Sequence, residues 1–351
     1  MLIQLQNAPI FSSLRRFFQS FRQRSTQSLA LLFSLGLGLS LIVSACSSGN
    51  PTASAPAGSS PARGQVVHIG YQKAATILSA LKAQGSLEKA LAASGSSVEW
   101  TEFPAGAPML EAMNAGSIDF GYTGEAPPIF AQAAGTPVRY VAYDPWSPKG
   151  EAIVVPQDSP IQQLTDLKGK KIAVAKGSNT NYLVVKALES ANLKLDDVEV
   201  VHLTPADARA AFESGKVEAW AIWDPYLAVA EEKAGARVLK DATGLAPNRG
   251  YYLAAQSFID QAPDALKTVL AEVTKVSDWA KGHPTDVAKF LSPALGIDAS
   301  VLEKAEKRRA YGVLPLTDEI VKGQQQIADT FYAIKIIPKQ VKVQEAVWSG
   351  S

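Results

Sequence analysis

Beyond residue 65 the sequence alternates between short β-branched runs, loops of glycine and small polar residues, and stretches with apolar residues at helical spacing. That alternation constrains the chain more than any other feature. It points to an α/β architecture, in which strands lead through loops into helices and mainly parallel sheets result. VVHIGY (66–71) reads as a first strand, 75–82 as a helix and VEWTEF (98–103) as a second strand. A helix over 108–115 stops at Gly116; SIDFGY (117–122) follows as a strand, then a helix from Pro127 to near Gly135 and the strand VRYVAY (138–143).

EAIVVP (151–156) leads out of this unit into a second one of the same character. There KIAVAK (171–176), VEVVHL (198–203) and VEAWAIW (217–223) read as strands, with helices over 180–191, over 206–214 and from Asp224-Pro225 onward. GYYLAA (250–255) returns toward the first unit, and the remainder is largely helical. A folded body of this length exceeds the size at which one core splits in two. The expected arrangement is two α/β lobes joined by two crossing strands: lobe 1 over 65–150, lobe 2 over 151–252, and a C-terminal part of lobe 1 over 253–351. No short fixed-period repeat argues for a solenoid.

The first acidic residue is Glu88, so the head of the chain carries only Arg15, Arg16, Arg22 and Arg24 before an apolar run from Leu29 to Val43. Basic region then apolar core is the order of an export signal. The run ends in Val43-Ser44-Ala45-Cys46, which resembles a lipobox whose cysteine carries diacylglycerol. Residues 1–45 are thus expected to be a lipoprotein signal peptide, with Cys46 as the lipidated residue. An uncleaved anchor and ordinary signal cleavage are the alternatives; a spanning helix usually needs about 20 apolar residues. Residues 46–64 are rich in Ser, Pro, Ala and Gly and read as a flexible tether. Cys46 is the only cysteine, so no disulfide supports the fold. Removing residues 1–45 takes four positive charges from a formal net of +1 and leaves −3, a balance that does not suggest nucleic acid. The reading is of a monomer on the extracytoplasmic face of a membrane.

In open parallel sheets, ligands bind beyond the carboxyl ends of strands, where loops enter helix N-termini. Four such loops are rich in small or hydroxyl residues: GYQKAAT (70–76), YTGEAPP (122–128), KGSNTN (176–181) and WDPY (223–226). A helix N-terminus offers unpaired N–H donors and favours an anion. Each loop also has a plainer reading. Asp224 before Pro225 is a usual helix start, Ser178, Asn179 and Thr180 are possible caps, Thr123 and Gly124 a possible turn, Gln72 a possible surface amide, and Trp223 a possible core residue.

Catalytic constellations find little support. His68, His202 and His283 lie far apart without metal-ligand spacing. Lys176-Gly177-Ser178 reverses the order of a phosphate-binding loop and lacks its leading glycine, and no GxSxG elbow occurs. Neither metal, cofactor nor enzymatic activity is expected.

IGYQK, EFPAGAPMLEAMNAGSIDFGYTGEAPPIFAQAAG, DLKGKKIAVAKGSNTNYLV, LTPADARAAFESGKVEAWAIWDPYLA and GYYLAA, in that order, resemble the aliphatic-sulfonate-binding proteins of ABC importers from about Val67 to Trp348. The resemblance implies a two-lobed periplasmic-binding-protein fold of type II that clamps a small organic sulfonate for sulfur acquisition. It also implies an ABC permease and its ATPase as partners. The wider superfamily includes binders of nitrate, taurine and thiamine-precursor pyrimidines, and a pyrimidine-precursor synthase that needs a cysteine-rich motif this chain lacks. Carried over by position, the family's cleft falls on Gln72; on Thr123, Gly124 and Glu125; on Gly177, Ser178 and Asn179; and on Trp223 and Asp224. Glu125 and Asp224 would repel a sulfonate head group, so they are assigned to capping or to a polar ligand tail such as an ammonium. Arg309, in KRRAYGVLPLTDEIV, is a candidate direct counter-ion, although arginine lies by default at the surface.

Overall fold

The computed structural model describes residues 64–350. The expected signal peptide, nearly all of the tether and Cys46 lie outside the described residues. Among the described residues, no helix is long and apolar enough to cross a membrane.

The first sheet is built from β1 (Val66–Tyr71), β2 (Ser97–Glu102), β3 (Phe120–Gly124) and β4 (Val138–Tyr143), interleaved with α1 (Thr76–Gln84), α2 (Ser86–Ala92), α3 (Gly106–Asn114) and α4 (Ala126–Ala134). The second contains β5 (Glu151–Pro156), β6 (Lys171–Val174), β7 (Glu199–His202), β8 (Ala219–Trp223) and β9 (Ala236–Asp241). Its helices are α5 (Asn179–Ser190), α6 (Pro205–Glu213) and α7 (Tyr226–Lys233). β10 (Gly250–Ala255) then completes the first sheet.

Strand order is β2-β1-β3-β10-β4 in one sheet and β7-β6-β8-β5-β9 in the other, the same plan twice. In each, parallel strands are followed by an antiparallel one that has just arrived from the opposite lobe: β10 pairs β3 and β4, and β5 pairs β8 and β9. The chain crosses out through 144–150 and back through 242–249, and all of β10, from Gly250 on, pairs in the first sheet. This is the two-lobed α/β arrangement expected from the alternation. β5 and β10 are buried along nearly their whole length, which explains their unbroken apolar sequences.

Two local differences matter. β3 begins at Phe120 rather than 117, because Asp119 leaves the strand and its carboxylate accepts the His68 backbone N–H at 2.8 Å. The shift moves Thr123 and Gly124 from a turn to the carboxyl end of the strand. β9 has no counterpart in the sequence reading: it is an edge strand, partly exposed and carrying Arg237 and Lys240, so alternation is weak there.

The C-terminal part supplies α8 (Gln256–Gln261), α9 (Pro263–Ala280), α10 (Pro284–Leu295), α11 (Ala299–Glu306) and α12 (Asp318–Ala333). Along α9, Leu266, Val269, Val273, Val276 and Ala280 form one buried stripe at helical spacing, against α1 and α2. α11 reaches the second lobe instead, where Val301 and Ala305 pack on Ala228 of α7. That contact brings the chain after α11 to the opening between the lobes.

Candidate functional site

The carboxyl ends of β1, β3, β6 and β8 converge on one cleft of about 720 Å³, counting the part open to solvent. Of the residues singled out from sequence, Gln72, Thr123, Gly124, Ser178, Asn179, Trp223, Asp224 and Arg309 line it. Two do not. Glu125 is fully buried behind the wall, where its carboxylate accepts the Arg249 backbone N–H at 3.0 Å. Gly177 turns at φ +69° and faces away, toward Ala107 and Phe130 of the other lobe.

Local sequence explains most of the placements. Gln72 donates from Nε2 to the Tyr122 carbonyl at 3.0 Å, tying the first loop to the second. Thr123 comes so close to Gly106 that a Cβ there would lie 1.7 Å from its hydroxyl oxygen. Ser178 precedes α5 as its cap residue, but its hydroxyl donates to the Ala175 carbonyl at 2.6 Å, while Asn181 Oδ1 accepts the Ser178 N–H at 3.2 Å. The Asp224-Pro225 bond is cis and α7 starts at Tyr226, so Pro225 is not the first helical residue expected from sequence. Asp224 still caps: its Oδ1 accepts the Ala228 N–H at 3.0 Å, and Oδ2 is buried without a partner.

Across the cleft floor a hydrogen-bonded path joins both lobes and both crossings. Asn179 Oδ1 accepts the Ala126 N–H at 3.0 Å, Asn179 Nδ2 donates to Asn248 Oδ1 at 3.2 Å, and Asn248 Nδ2 donates to the Ser147 carbonyl at 2.8 Å. Ser147 Oγ in turn accepts the Ala310 N–H at 2.9 Å. Asn248 sits at φ +47°, a left-handed conformation that asparagine tolerates better than most residues. On one rim, ion pairs link the lobes: Arg308 to Glu231 at 2.5 Å, Lys304 to Glu232 at 2.7 Å and Lys233 to Asp298 at 2.8 Å.

Arg309 does not follow the surface default. Its side chain is 15% exposed and lines the cleft, with Nε 3.9 Å from a Glu306 carboxylate oxygen. Sequence reasoning missed a second cation, Arg249, 3% exposed between the rings of Tyr143 and Trp146 at 5.6 and 5.4 Å. It missed Asp144, Ser147 and Asn248 as well. These lie on the two crossings, and the only local signal was their position beside strands that change lobe.

The surroundings are rich in buried carboxylates. Burial pushes Asp144 up to about 7, Glu125 to about 7, Glu306 to about 7 and Asp224 to about 6. Nearby donors and arginines oppose each rise: the Arg249 N–H for Glu125, the Tyr122 hydroxyl and then Arg309 for Asp144, Arg309 for Glu306, and Arg308 then Arg309 for Asp224. Burial, and then the neighbouring Glu125, hold Glu151 well above the ordinary carboxylate range. Burial thus pushes these acids toward their neutral forms, and the guanidinium groups of Arg249 and Arg309 stand among them on the wall. A cleft of this kind can hold a compact anion through arginines, hydroxyl groups and amides. Among the described residues no cluster of His, Cys, Asp or Glu is arranged to hold a metal ion.

Comparison with known proteins agrees with this geometry. The family model described as NMT1/THI5 like matches residues 92–287. A protein of Escherichia coli (strain K12) named for binding aliphatic sulfonates is 41% identical over 285 residues, covering 81% of this chain and 89% of the relative. A protein so named in Bacillus subtilis (strain 168) is 36% identical over 283 residues, covering 80% and 85%. The solved structure of the alkanesulfonate-binding protein SsuA from Xanthomonas axonopodis pv. citri bound to MOPS is similar with a TM-score of 0.78 and 38% identity, over 82% of this chain and 99% of that one. The chain belongs to the NMT1/THI5-like family and, within it, to the aliphatic sulfonate-binding proteins.

Proposed function

We propose that this protein is the extracytoplasmic substrate-binding component of an ABC importer and captures aliphatic sulfonates. The observation that carries the reading is that two guanidinium groups, those of Arg309 and the buried Arg249, line one cleft whose remaining wall offers hydroxyl and amide groups. A sulfonate stays a monoanion throughout the physiological range, so recognition needs no proton transfer to the ligand. Its partners are then a permease and an ATPase, which read closure of the lobes. Binding without catalysis is in keeping with the relatives, which are named as binding proteins.

Within this reading the sulfonate oxygens face Arg309, Arg249 and Thr123, and the alkyl tail lies toward Trp223. Asp224, with one carboxylate oxygen unpartnered, stands where a tail ammonium would be accepted. Calorimetric titration with ethanesulfonate, butanesulfonate, taurine, sulfate and nitrate tests the assignment. Heat from the alkanesulfonates with none from nitrate is the expected result, and silence from every alkanesulfonate would remove it. Taurine binding tighter than ethanesulfonate would favour the second reading, an aminosulfonate receptor.

The acid-free basic head, the apolar run and the single cysteine support export and attachment to a membrane through lipid on Cys46. Replacement of Cys46 by serine should then release the protein from the membrane fraction and abolish incorporation of labelled fatty acid.

A further inference from the structure

We propose that a second ligand site, separate from the cleft, lies in a groove between the lobes and takes a medium-chain alkyl anion. The groove has about 670 Å³ of empty space, counting its open part, and shares no lining residue with the cleft. The loop before α5 divides the two: Ser178 and Asn179 face the cleft, whereas Lys176 and Gly177 face the groove.

Its chemistry follows from the strands below it. Val174 on β6 and His202 on β7 are register partners, as are Ile172 and Val200. Side chains two apart on a strand share a face, so Val174, Val200 and His202 stand together. Lys176 follows Val174 by two residues, which puts Lys176 and His202 at the same carboxyl-terminal end of adjacent parallel strands. The opposite lobe supplies Phe130 from α4 and Ile336 from just beyond α12. The walls are therefore apolar, the cationic or protonatable groups are gathered at one end, and no carboxylate lines the groove. That distribution fits an alkyl chain with a single anionic head group and disfavours an alkyl cation.

Because the walls come from both lobes, the groove is complete only while the lobes are together. An occupant therefore favours closure and, by linkage, tightens ligand in the cleft by the same factor that cleft ligand tightens it. The site does not depend on what the cleft binds; only this coupling does.

The test is calorimetric titration with octanoate, alone and with saturating ethanesulfonate, which is too short to span both sites. Octanoate should bind in both cases, about fivefold or more tightly when ethanesulfonate is present. Octylammonium should not bind. Val200→Trp, which fills the groove, should abolish octanoate binding; Lys176→Gln, at an exposed position that does not threaten folding, should weaken it about tenfold. Lys176→Gln should leave ethanesulfonate affinity without octanoate unchanged. Absence of octanoate binding, its displacement by ethanesulfonate, or full binding by the Lys176→Gln variant would overturn the proposal. If ethanesulfonate itself fails to bind, the cleft assignment falls, while octanoate with the two variants still decides the groove.

Discussion

Asn179, at the start of α5 in the second lobe, accepts the backbone N–H of Ala126, at the start of α4 in the first, at 3.0 Å. One side chain thus ties together the two helix N-termini that face each other across the cleft, and its amide nitrogen continues to Asn248 on the return crossing at 3.2 Å. The contact exists only because Gly124 has no side chain. A Cβ there would lie 2.3 Å from Asn179 Oδ1 and 2.4 Å from Nδ2.

Gly124→Ala should therefore keep the lobes from meeting without unfolding either of them. Apparent affinity falls in proportion to the fraction of closed molecules, and a drop of about tenfold or more is expected. Small-angle scattering should report a larger radius of gyration with ligand present than the parent protein has. Unchanged affinity and unchanged dimensions would mean that the contact is incidental.

Arg309 is flanked by Glu306, Asp144 and Asp224, and an anion in the cleft must compete with them for its charge. Arg309→Gln removes a charged donor and should weaken alkanesulfonate binding by about 1.5 to 3 kcal/mol, roughly tenfold or more. Arg249→Gln should act in the same direction. A thermal melt of each variant separates lost affinity from lost folding.

Asp144 and Asp224 line the cleft with values raised by burial to about 7 and about 6. As pH falls from 8 to 5 both gain protons, the wall loses negative charge, and affinity for a monoanion rises. If bound anion raises each group by about one further unit, the gain is up to tenfold per group. Binding near pH 7 then takes up protons, so the measured enthalpy should depend on the ionisation enthalpy of the buffer. Identical heats in phosphate and Tris would count against this coupling.

Glu151 is fully buried, neither of its carboxylate oxygens has a partner, and its value is raised well above the ordinary 4.5. A carboxyl raised in the folded state contributes most stability below its unfolded value and loses it as pH rises toward the folded one. Glu151→Gln mimics the protonated group, so it should stabilise the fold at pH 8 by about 1 to 3 kcal/mol. The gain should shrink as pH falls toward 4.5. Denaturant unfolding at both pH values checks it, and equal gains at the two would show that charge is not the cause.

The legible part of this molecule was local. Alternation of β-branched runs and helical spacing located β1, β4, β5 and β10 with no error in their bounds, because strands that are mostly buried or end in strong turn residues carry an unbroken signal. Small and hydroxyl residues before a helix also marked the four loops that line the cleft, whereas Arg309 belongs to none of them. The local pattern gave no sign of β9, where a charged edge strand lacks alternation, nor that Glu125 and Gly177 lie away from the cleft surface, which depends on the path of the loop.

The sequence by itself determined the two-lobed α/β plan and which loops face the opening, because period, turn chemistry and helix starts are encoded over a few residues. Only the tertiary structure decided the electrostatics. Asp144 and Glu151, at the outward crossing and the start of β5, lie far along the chain from Asn248 and Arg249 on the return crossing, and the protonation of the two acids depends on desolvation that no local pattern reports. Arg309 is the clearest case: along the chain it is an arginine in a polar stretch, and it becomes a cleft cation because α11 packs on α7 of the other lobe.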